Sequence, residues 1–290
     1  MKVKFYDKTL WSRYLAVLGV ISSLVTLMSF FATATDFVDN ILCIAIPFVI
    51  LIILIFIKMW YCANRRDHAD LKINHTKVKV LVGDIWNQIN KAPAERIGEI
   101  SVIAVNDFYD TIVDDRIIAA SSLHGQYVKK IIQAGKLDEL NKVIENDKIL
   151  NKPGNFRIIS SRPVGKQVQY EIGSVVEFEA YILAAFTKFD ADNEAWLSAE
   201  EYIRFWMRFW ANIDRIYAGR TINIPLMGAG ITRFKNGKPS KQELLEVMLW
   251  TLKISGFHNT YADKQINFVI YPLDANEIDF YHIQHNPDFR

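Results

Sequence analysis

Two glycines directly after a predicted strand are the residues of this chain best suited to approach a phosphate. The apolar run 221–226 predicts a buried strand, and the loop 227–231, with Gly228 and Gly230, follows it at once. Glycine leaves backbone N–H groups open to close approach, and successive N–H groups suit phosphate oxygens. The loop lacks the Lys-Ser/Thr pair of a P-loop. The pattern therefore predicts either a phosphate-contacting loop or a plain turn.

Polar residues also follow two other predicted strands. Asp84 and Ile85 come after the run 78–82, and Asn106-Asp107 ends the run 100–105. A carboxylate at a strand end can hold an exocyclic amine or a ribose hydroxyl, while an Asn side chain both donates and accepts. Asp84 can instead cap the turn that follows it.

The segment 121–126 (SSLHGQ) interrupts a helical pattern with small polar residues. Ser121 or Ser122 can cap a helix there, and the amides at a helix N-terminus favour an anion. His124 has no Cys or His at metal-ligand spacing, so no metal site is predicted. No nucleophile with an adjacent base is recognisable, so we predict no catalytic residue and favour binding over catalysis.

Alternating strands and helices must position these residues. Strand-like runs also occur at 157–161, 167–171, 175–179, 181–186 and 266–273, and helical patterns at 116–133, 136–146, 200–216 and 241–254. A capping box is predicted at Ser198 with Glu201. The order predicts an α/β fold with a mixed, mostly parallel sheet covered on both faces. In such sheets, ligands bind beyond the carboxyl ends of the strands.

Two charge-free apolar stretches precede this domain, at 14–35 and 40–57. Each is long enough to cross a hydrocarbon core of roughly 30 Å as a helix. We therefore expect a membrane anchor with two transmembrane helices at 1–63, a linker at 64–75 and a water-soluble domain at 76–290. The first stretch also imitates a secretory signal, although its apolar run is longer than a leader needs.

The cations predict the orientation of the anchor. Lys4 and Arg13 precede the first stretch and Lys58 and Arg65 follow the second, while the connection between them carries acids and no cation. Cations resist translocation, so both termini and the domain are expected in the cytoplasm. The net charge of +2 comes largely from these flanks, and no basic surface for nucleic acid is indicated. The two cysteines do not suggest a disulfide framework.

The strand ends just described, with the loop 227–231, resemble the macro domain, an ADP-ribose-binding α/β/α module, over roughly residues 76–275. The segments 104–111, 122–126 and 181–193 resemble the divergent macro-like domain of Thoeris anti-phage defence effectors. Two transmembrane helices ahead of such a domain are similar to the membrane-anchored effector of type II Thoeris.

The resemblance implies a role for each strand end. Asp84 would recognise the adenine amine beside the Ile85 amide, Asn106 would face a ribose, and the loop 227–231 would wrap the diphosphate. The segment 122–126 replaces the glycine-rich loop that ordinary macro domains place near the distal ribose, which makes hydrolase chemistry doubtful. The expected ligand-binding residues are Asp84, Ile85, Asn106, Asp107, Ser122, Leu123, His124, Gly125, Gln126, Met227, Gly228, Ala229, Gly230 and Ile231.

The resemblance also implies a function. An ADP-ribose-derived messenger, histidine-ADP-ribose made by a TIR-domain partner enzyme, would bind the domain and drive homo-oligomers that disrupt the bacterial inner membrane and abort infection. Asp114, Asp115, Arg116 or His124 could meet the added amino acid. No cofactor besides this ligand is expected. The alternatives are a membrane-tethered ADP-ribosyl hydrolase and a plain structural anchor.

Overall fold

A computed structural model describes residues 3–29, 41–86, 98–190, 194–257 and 265–289. The chain forms two compact units, which are described separately. The first combines Met1–Asp67 with Asp279–Asn286, and the second combines His68–Ile278 with Pro287–Arg290.

The first unit contains two long apolar helices, α1 (Lys8–Ser29) and α2 (Ile41–Asn64). Both are long and apolar enough to cross a membrane, over Lys8–Leu27 and Ala45–Asn64. Their apolar side chains point outward, as for Leu24 at 56% exposure. A core helix of a soluble protein would bury such residues. The second helix continues past the expected end at residue 57, and residues 30–40, with the acidic connection, lie outside the described part.

A small aromatic cluster holds this unit together at one end. Its buried members are Val3, Leu10, Tyr14, Phe56, Ala63 and Tyr281. The Tyr14 hydroxyl donates to the Ile52 carbonyl oxygen at 3.0 Å. Tyr281 lies on the short helix α7 (Phe280–His285), which the sequence assigned to the domain at 76–290 and which instead packs with the two apolar helices.

Among the described residues, the second unit is built around a mixed sheet of nine strands. Its strands are β1 (His68–Ile73), β2 (Thr76–Val82), β3 (Glu99–Asn106), β6 (Val175–Phe178), β7 (Tyr181–Phe189), β8 (Ala195–Leu197), β9 (Thr221–Pro225), β10 (Arg233–Phe234) and β11 (Gln265–Ile270), while β4 (Phe156–Ile158) and β5 (Val168–Tyr170) form a separate hairpin. The order is β1-β2-β11-β9-β3-β7-β8-β10, with β6 paired to β7. The five strands from β2 to β7 in that order run parallel, which confirms the predicted fold class.

Helices cover both faces of this sheet. The helices α3 (Leu123–Gln133) and α4 (Leu137–Asn146) pack on the face that carries Ile103 and Val105. The helices α5 (Ala199–Ile213) and α6 (Lys241–Ser255) pack on each other, and α5 places Phe205 4.9 Å from the ring of Phe186 in β7. The predicted capping box of α5 is confirmed, with both reciprocal hydrogen bonds present.

The expected linker at 64–75 is wrong, because most of it is an edge strand. The strand β1 alternates exposed and buried side chains and pairs with β2 in antiparallel register. Asn74 and His75 connect the two strands with φ of 48° and 64°. Positive φ at both central residues matches the right-handed twist of a tight hairpin.

Two other element boundaries differ from expectation. The helix predicted from residue 116 begins at Leu123, because Asp114 and Asp115 accept backbone N–H bonds and hold residues 114–120 in turns. The last strand ends at Ile270 and not at Leu273. Both shifts move polar or aromatic residues from regular structure into loops beside the sheet edge.

Candidate ligand-binding site

The carboxyl ends of five neighbouring parallel strands meet at one edge of the sheet and open into a cavity of about 470 Å³. Ligand pockets in proteins commonly measure about 300–1,000 Å³. The loops after β2, β3, β9 and β11, the end of β7 and the start of α3 contribute the walls. This cavity lies at the strand ends where the sequence predicts a ligand site.

The loop after β9 forms one wall through residues 225–232. Gly228 has φ of 85°, a left-handed conformation that glycine adopts freely, and a Cβ there would lie 3.4 Å from the Phe234 ring. A Cβ on Gly230 would meet nothing within 4 Å. Gly228 thus serves the turn itself, whereas Gly230 borders open space in which a ligand can approach the backbone.

Asp84 and Trp86 form a second wall after β2. One Asp84 carboxylate oxygen, Oδ1, accepts from the Trp86 backbone N–H at 2.9 Å, so the turn-capping alternative is also realised. No described residue donates to the other oxygen, Oδ2. The Trp86 indole N–H donates to Gln126 Oε1 at 2.7 Å, and the Gln126 amide donates to the Ser121 carbonyl. Gln126 therefore fixes Trp86, while Asp84 keeps one oxygen to which no residue of the described ranges donates.

The N-terminus of α3 faces the same cavity. Ser122 is the N-cap, and its hydroxyl accepts from the Gly125 N–H at 3.0 Å, which confirms Ser122 of the two predicted candidates. Ser122, Leu123, His124 and Gln126 line the pocket. Gly125 does not: a Cβ there would lie 2.2 Å from the Ala119 carbonyl oxygen, so this glycine permits close packing of the helix start.

Asn106 lines the pocket, but its side chain is committed to the loop that follows β3. Its Oδ1 accepts from the N–H groups of Phe108 and Asp110, and its Nδ2 donates to Asp110 Oδ2 at 2.9 Å. Asp110 also forms a two-point ion pair with buried Arg162, at 2.7 and 3.1 Å. Asn106 is therefore held rigidly at the pocket floor.

His124 is a neutral pocket residue. Its Nε2 lies 3.0 Å from the Asp110 carbonyl oxygen, and since a carbonyl only accepts, Nε2 carries the hydrogen. Burial lowers the pKa of His124 to about 4. At neutral pH, Nδ1 is consequently an acceptor. Asp114, Asp115 and Arg116 do not contribute to the pocket walls, so His124 alone of the four residues expected to meet an added group lines it.

Comparison with known proteins shows the family of the chain. The family model described as the macro domain of the Thoeris protein ThsA matches residues 78–271, about two thirds of the chain. The chain belongs to the ThsA macro-domain family. It is 34% identical over 237 residues to the Thoeris protein ThsA of Bacillus amyloliquefaciens (strain Y2), covering 81% of this chain and 74% of that protein. A macrodomain mutant of Oceanobacillus iheyensis has a TM-score of 0.44 at 12% identity, covering 76% of this chain and 96% of the other.

One predicted site residue of this ThsA macro domain lies elsewhere. Asp107 borders a separate cavity of about 200 Å³, with its Oδ2 accepting from Gln169 at 2.5 Å and its Oδ1 from the Phe189 N–H at 3.2 Å. Strand β3 ends at Asn106, with an irregularity in its pairing after Val105, and Asp107 lies in the turn that follows, where these two hydrogen bonds hold its carboxylate away from the pocket that Asn106 lines. Burial raises the pKa of Asp107 to about 7.

The ThsA macro domain also has pocket residues that the sequence did not single out. Tyr271 and Asp274 line the rim beyond β11, and Tyr271 is 50% exposed. The sequence prediction extended this strand to Leu273 and so concealed the strand end that would have marked them. Phe189 joins the walls because β7 runs past the expected end at residue 186.

Proposed function

We propose that this chain is an anti-phage defence effector whose macro domain receives an ADP-ribose-derived messenger and whose two apolar helices act on the membrane. Membership in the ThsA family supports the defence role and an ADP-ribose-derived ligand. The observation that carries the proposal is one pocket that joins the Asp84 carboxylate, the glycine loop and the N-terminus of α3.

Each part of such a ligand has a chemically suitable wall. Asp84 Oδ2 can accept from an adenine amine, and the exposed ring of Tyr271 at the rim offers a flat apolar surface to a base. The loop 227–231 and the N-terminus of α3 offer backbone N–H groups to phosphate oxygens. Through the family resemblance, we propose histidine-ADP-ribose from a TIR-domain enzyme as the messenger.

Two features of the pocket favour a receptor over a hydrolase. The Asn106 amide is occupied by Asp110 and Phe108, so it is poorly placed to activate a water. His124 is neutral and donates to a backbone carbonyl. A ligand held by these walls would persist, as a signal receptor requires.

The proposed output is assembly of the anchors into homo-oligomers that disrupt the bacterial inner membrane, with the macro domain in the cytoplasm. A ligand shifts an equilibrium only as far as its affinities for the two states differ. The messenger must therefore bind the assembled form more tightly than the resting form. The outward-facing apolar side chains of α1 and α2 supply surfaces for lipid and for other anchors.

The decisive experiment measures the melting temperature of the full chain in detergent with ADP-ribose, NAD, cyclic ADP-ribose or histidine-ADP-ribose. A ligand at 100 times its Kd stabilises the native state by about 2.7 kcal/mol. We expect the largest shift with histidine-ADP-ribose, recovered chemically unchanged, and its loss in Asp84→Ala and Gly230→Glu. Asp138→Asn, an exposed change on α4, is the control. No shift with any of the four compounds would refute the receptor, and release of free ADP-ribose would indicate a hydrolase.

The membrane output needs its own measurement. The full chain reconstituted into dye-loaded liposomes should release dye after addition of histidine-ADP-ribose and remain silent with NAD. Asp84→Ala should release none. Messenger binding without dye release would support the receptor and reject membrane disruption.

A further inference from the structure

The pocket poses a charge problem for a ligand with a diphosphate. None of the described residues that line it is Lys or Arg, and its carboxylates are Asp84 and Asp274. Lys241 Nζ already pairs with Asp274 Oδ1 and Glu277 Oε1, both at 2.7 Å. The wall therefore offers backbone amides to two phosphate charges but no cationic side chain of its own, and a positive group close to the pocket would strengthen their binding.

Lys238 occupies such a position behind the glycine loop. Its Nζ donates to the carbonyl oxygens of Ala229 and Gly230 at 2.7 and 2.5 Å. The described chain has no cis peptide bond, and in a trans peptide the C=O and the following N–H point in opposite directions. The N–H groups of Gly230 and Ile231 therefore point away from Lys238. Both of these residues line the pocket and Lys238 does not, which directs the two amides toward the ligand side.

The hydrogen-bond partners of Lys238 do not neutralise its charge. Its two hydrogen-bond partners are neutral carbonyls, whereas neighbouring Lys241 contacts two carboxylates. Partial burial and the proximity of Lys241 lower the pKa of Lys238, and Asp274 and Glu277 oppose this shift from a distance. A positive charge fixed on the outer side of a two-amide loop strengthens the attraction of that loop for an anion.

We infer that Lys238 is the positioning residue for the phosphate groups: it orients the Gly230 and Ile231 amides toward the ligand and supplies the cation that the pocket wall lacks. This inference rests on the proposed function, since it concerns the phosphate part of an ADP-ribose-derived ligand. It assigns the discrimination between phosphorylated and unphosphorylated nucleosides to a residue outside the pocket wall.

The test compares two probes, ADP-ribose and adenosine, on the full chain in detergent by calorimetric titration at two salt concentrations. Lys238→Met should raise the Kd for ADP-ribose at least tenfold and leave the Kd for adenosine within twofold. The dependence of ADP-ribose affinity on NaCl should become shallower, because salt screens the lost charge. Lys238→Arg should retain most affinity, and Lys235→Met, which removes an exposed lysine of the same segment, should change nothing.

The outcomes separate this inference from the proposed function. Wild-type binding of ADP-ribose with an unchanged Kd in Lys238→Met would overturn the role of Lys238 and leave the receptor intact. If Lys238→Met weakened the binding of ADP-ribose and of adenosine equally, with an unaltered salt dependence, Lys238 would be a structural residue of the loop. That result would also overturn the inference. A wild-type chain that binds neither probe would defeat the proposed function and the inference together.

Discussion

The second apolar helix, α2, exposes its large apolar side chains, whereas the helix α5 buries its own. In α2, Ile53 and Leu54 are 51% and 55% exposed, whereas in α5, Trp206 and Phe209 are fully buried. The difference shows that α5 completes a core within its own unit, while α2 needs an apolar environment that the described chain does not supply.

Charge patterning explains the contrast. The α5 helix carries Glu200, Arg204 and Arg208 on the face away from the sheet, where Glu200 and Arg204 form an ion pair at 2.5 Å. The α2 helix has no charged residue before Lys58. An amphipathic helix presents polar side chains to water on one side, and a helix that is apolar all round is suited to lipid.

The largest expected effect concerns the buried side chains of α5. Phe209→Ala should lower the free energy of unfolding of the macro domain by about 3–5 kcal/mol, because it leaves a cavity among stacked rings. Hydrogen exchange of the α5 and α6 amides in the full chain measures this loss. Ile203→Ala, on the exposed side of α5, should cost much less. Equal losses in both variants would show that α5 is not packed on one face.

A charge on the exposed side of α2 should have the next largest effect. Ile53→Lys places a cation in the middle of the helix, which costs about 3 kcal/mol in a bilayer. The variant should move from the carbonate-resistant membrane fraction toward the soluble fraction, while Ile53→Ala should stay in the membrane. If Ile53→Lys remained fully membrane-bound and the protein folded normally, α2 would not face lipid at this position.

The elements of the sheet were predictable where the determining residues are local. The capping box of Ser198 and Glu201 and the run 221–226 lie within a few residues of the structure they specify, and both predictions are close. The short strands β8 and β10 were not predicted, because three and two residues are too few for a periodic pattern. Strand β1 was hidden because its charged outward residues resembled a linker.

The pocket was predictable from one rule, that ligands bind beyond the carboxyl ends of parallel strands. That rule identified Asp84 and the glycine loop. It did not separate Asn106 from Asp107, which lies in the turn after β3 and lines a different cavity. Sequence could not indicate Lys238, because its approach to the Ala229 carbonyl depends on how the loop folds back.

Within the macro domain, we expect Asp107 to give the free energy of unfolding an unusual dependence on pH. Its native pKa of about 7 lies above the unfolded value, so the native state binds the extra proton between these values. The contribution of Asp107 to the free energy of unfolding is present at low pH and falls as pH rises, by about 2 kcal/mol between pH 5 and pH 7. His124 has the opposite sign, because its lowered pKa costs stability as pH falls below the unfolded value.

Comparing a variant of Asp107 with the wild type separates the contribution of Asp107 from that of His124. Unfolding of the macro domain, followed by hydrogen exchange of the full chain at pH 5, 6 and 7, should show a smaller decline in Asp107→Asn than in the wild type. Asp138→Asn, an exposed aspartate on α4, should leave the wild-type profile unchanged. A profile that is identical in Asp107→Asn would mean that Asp107 does not titrate in this range.

The smallest expected effects come from two matched tyrosines, one in each region. The hydroxyl of Tyr14 donates to the Ile52 carbonyl in the anchor, and that of Tyr202 donates to the Met227 carbonyl in the macro domain, at 3.0 and 3.1 Å. Tyr202→Phe should cost about 1 kcal/mol, because it leaves a buried carbonyl with one partner fewer. Tyr14→Phe should cost about 0.6 kcal/mol, since helix contacts in lipid depend mainly on close packing. Local hydrogen exchange in detergent measures both. A larger loss for Tyr14→Phe would mean that the anchor is held together by polar contacts, and its apolar exterior would then serve only the lipid.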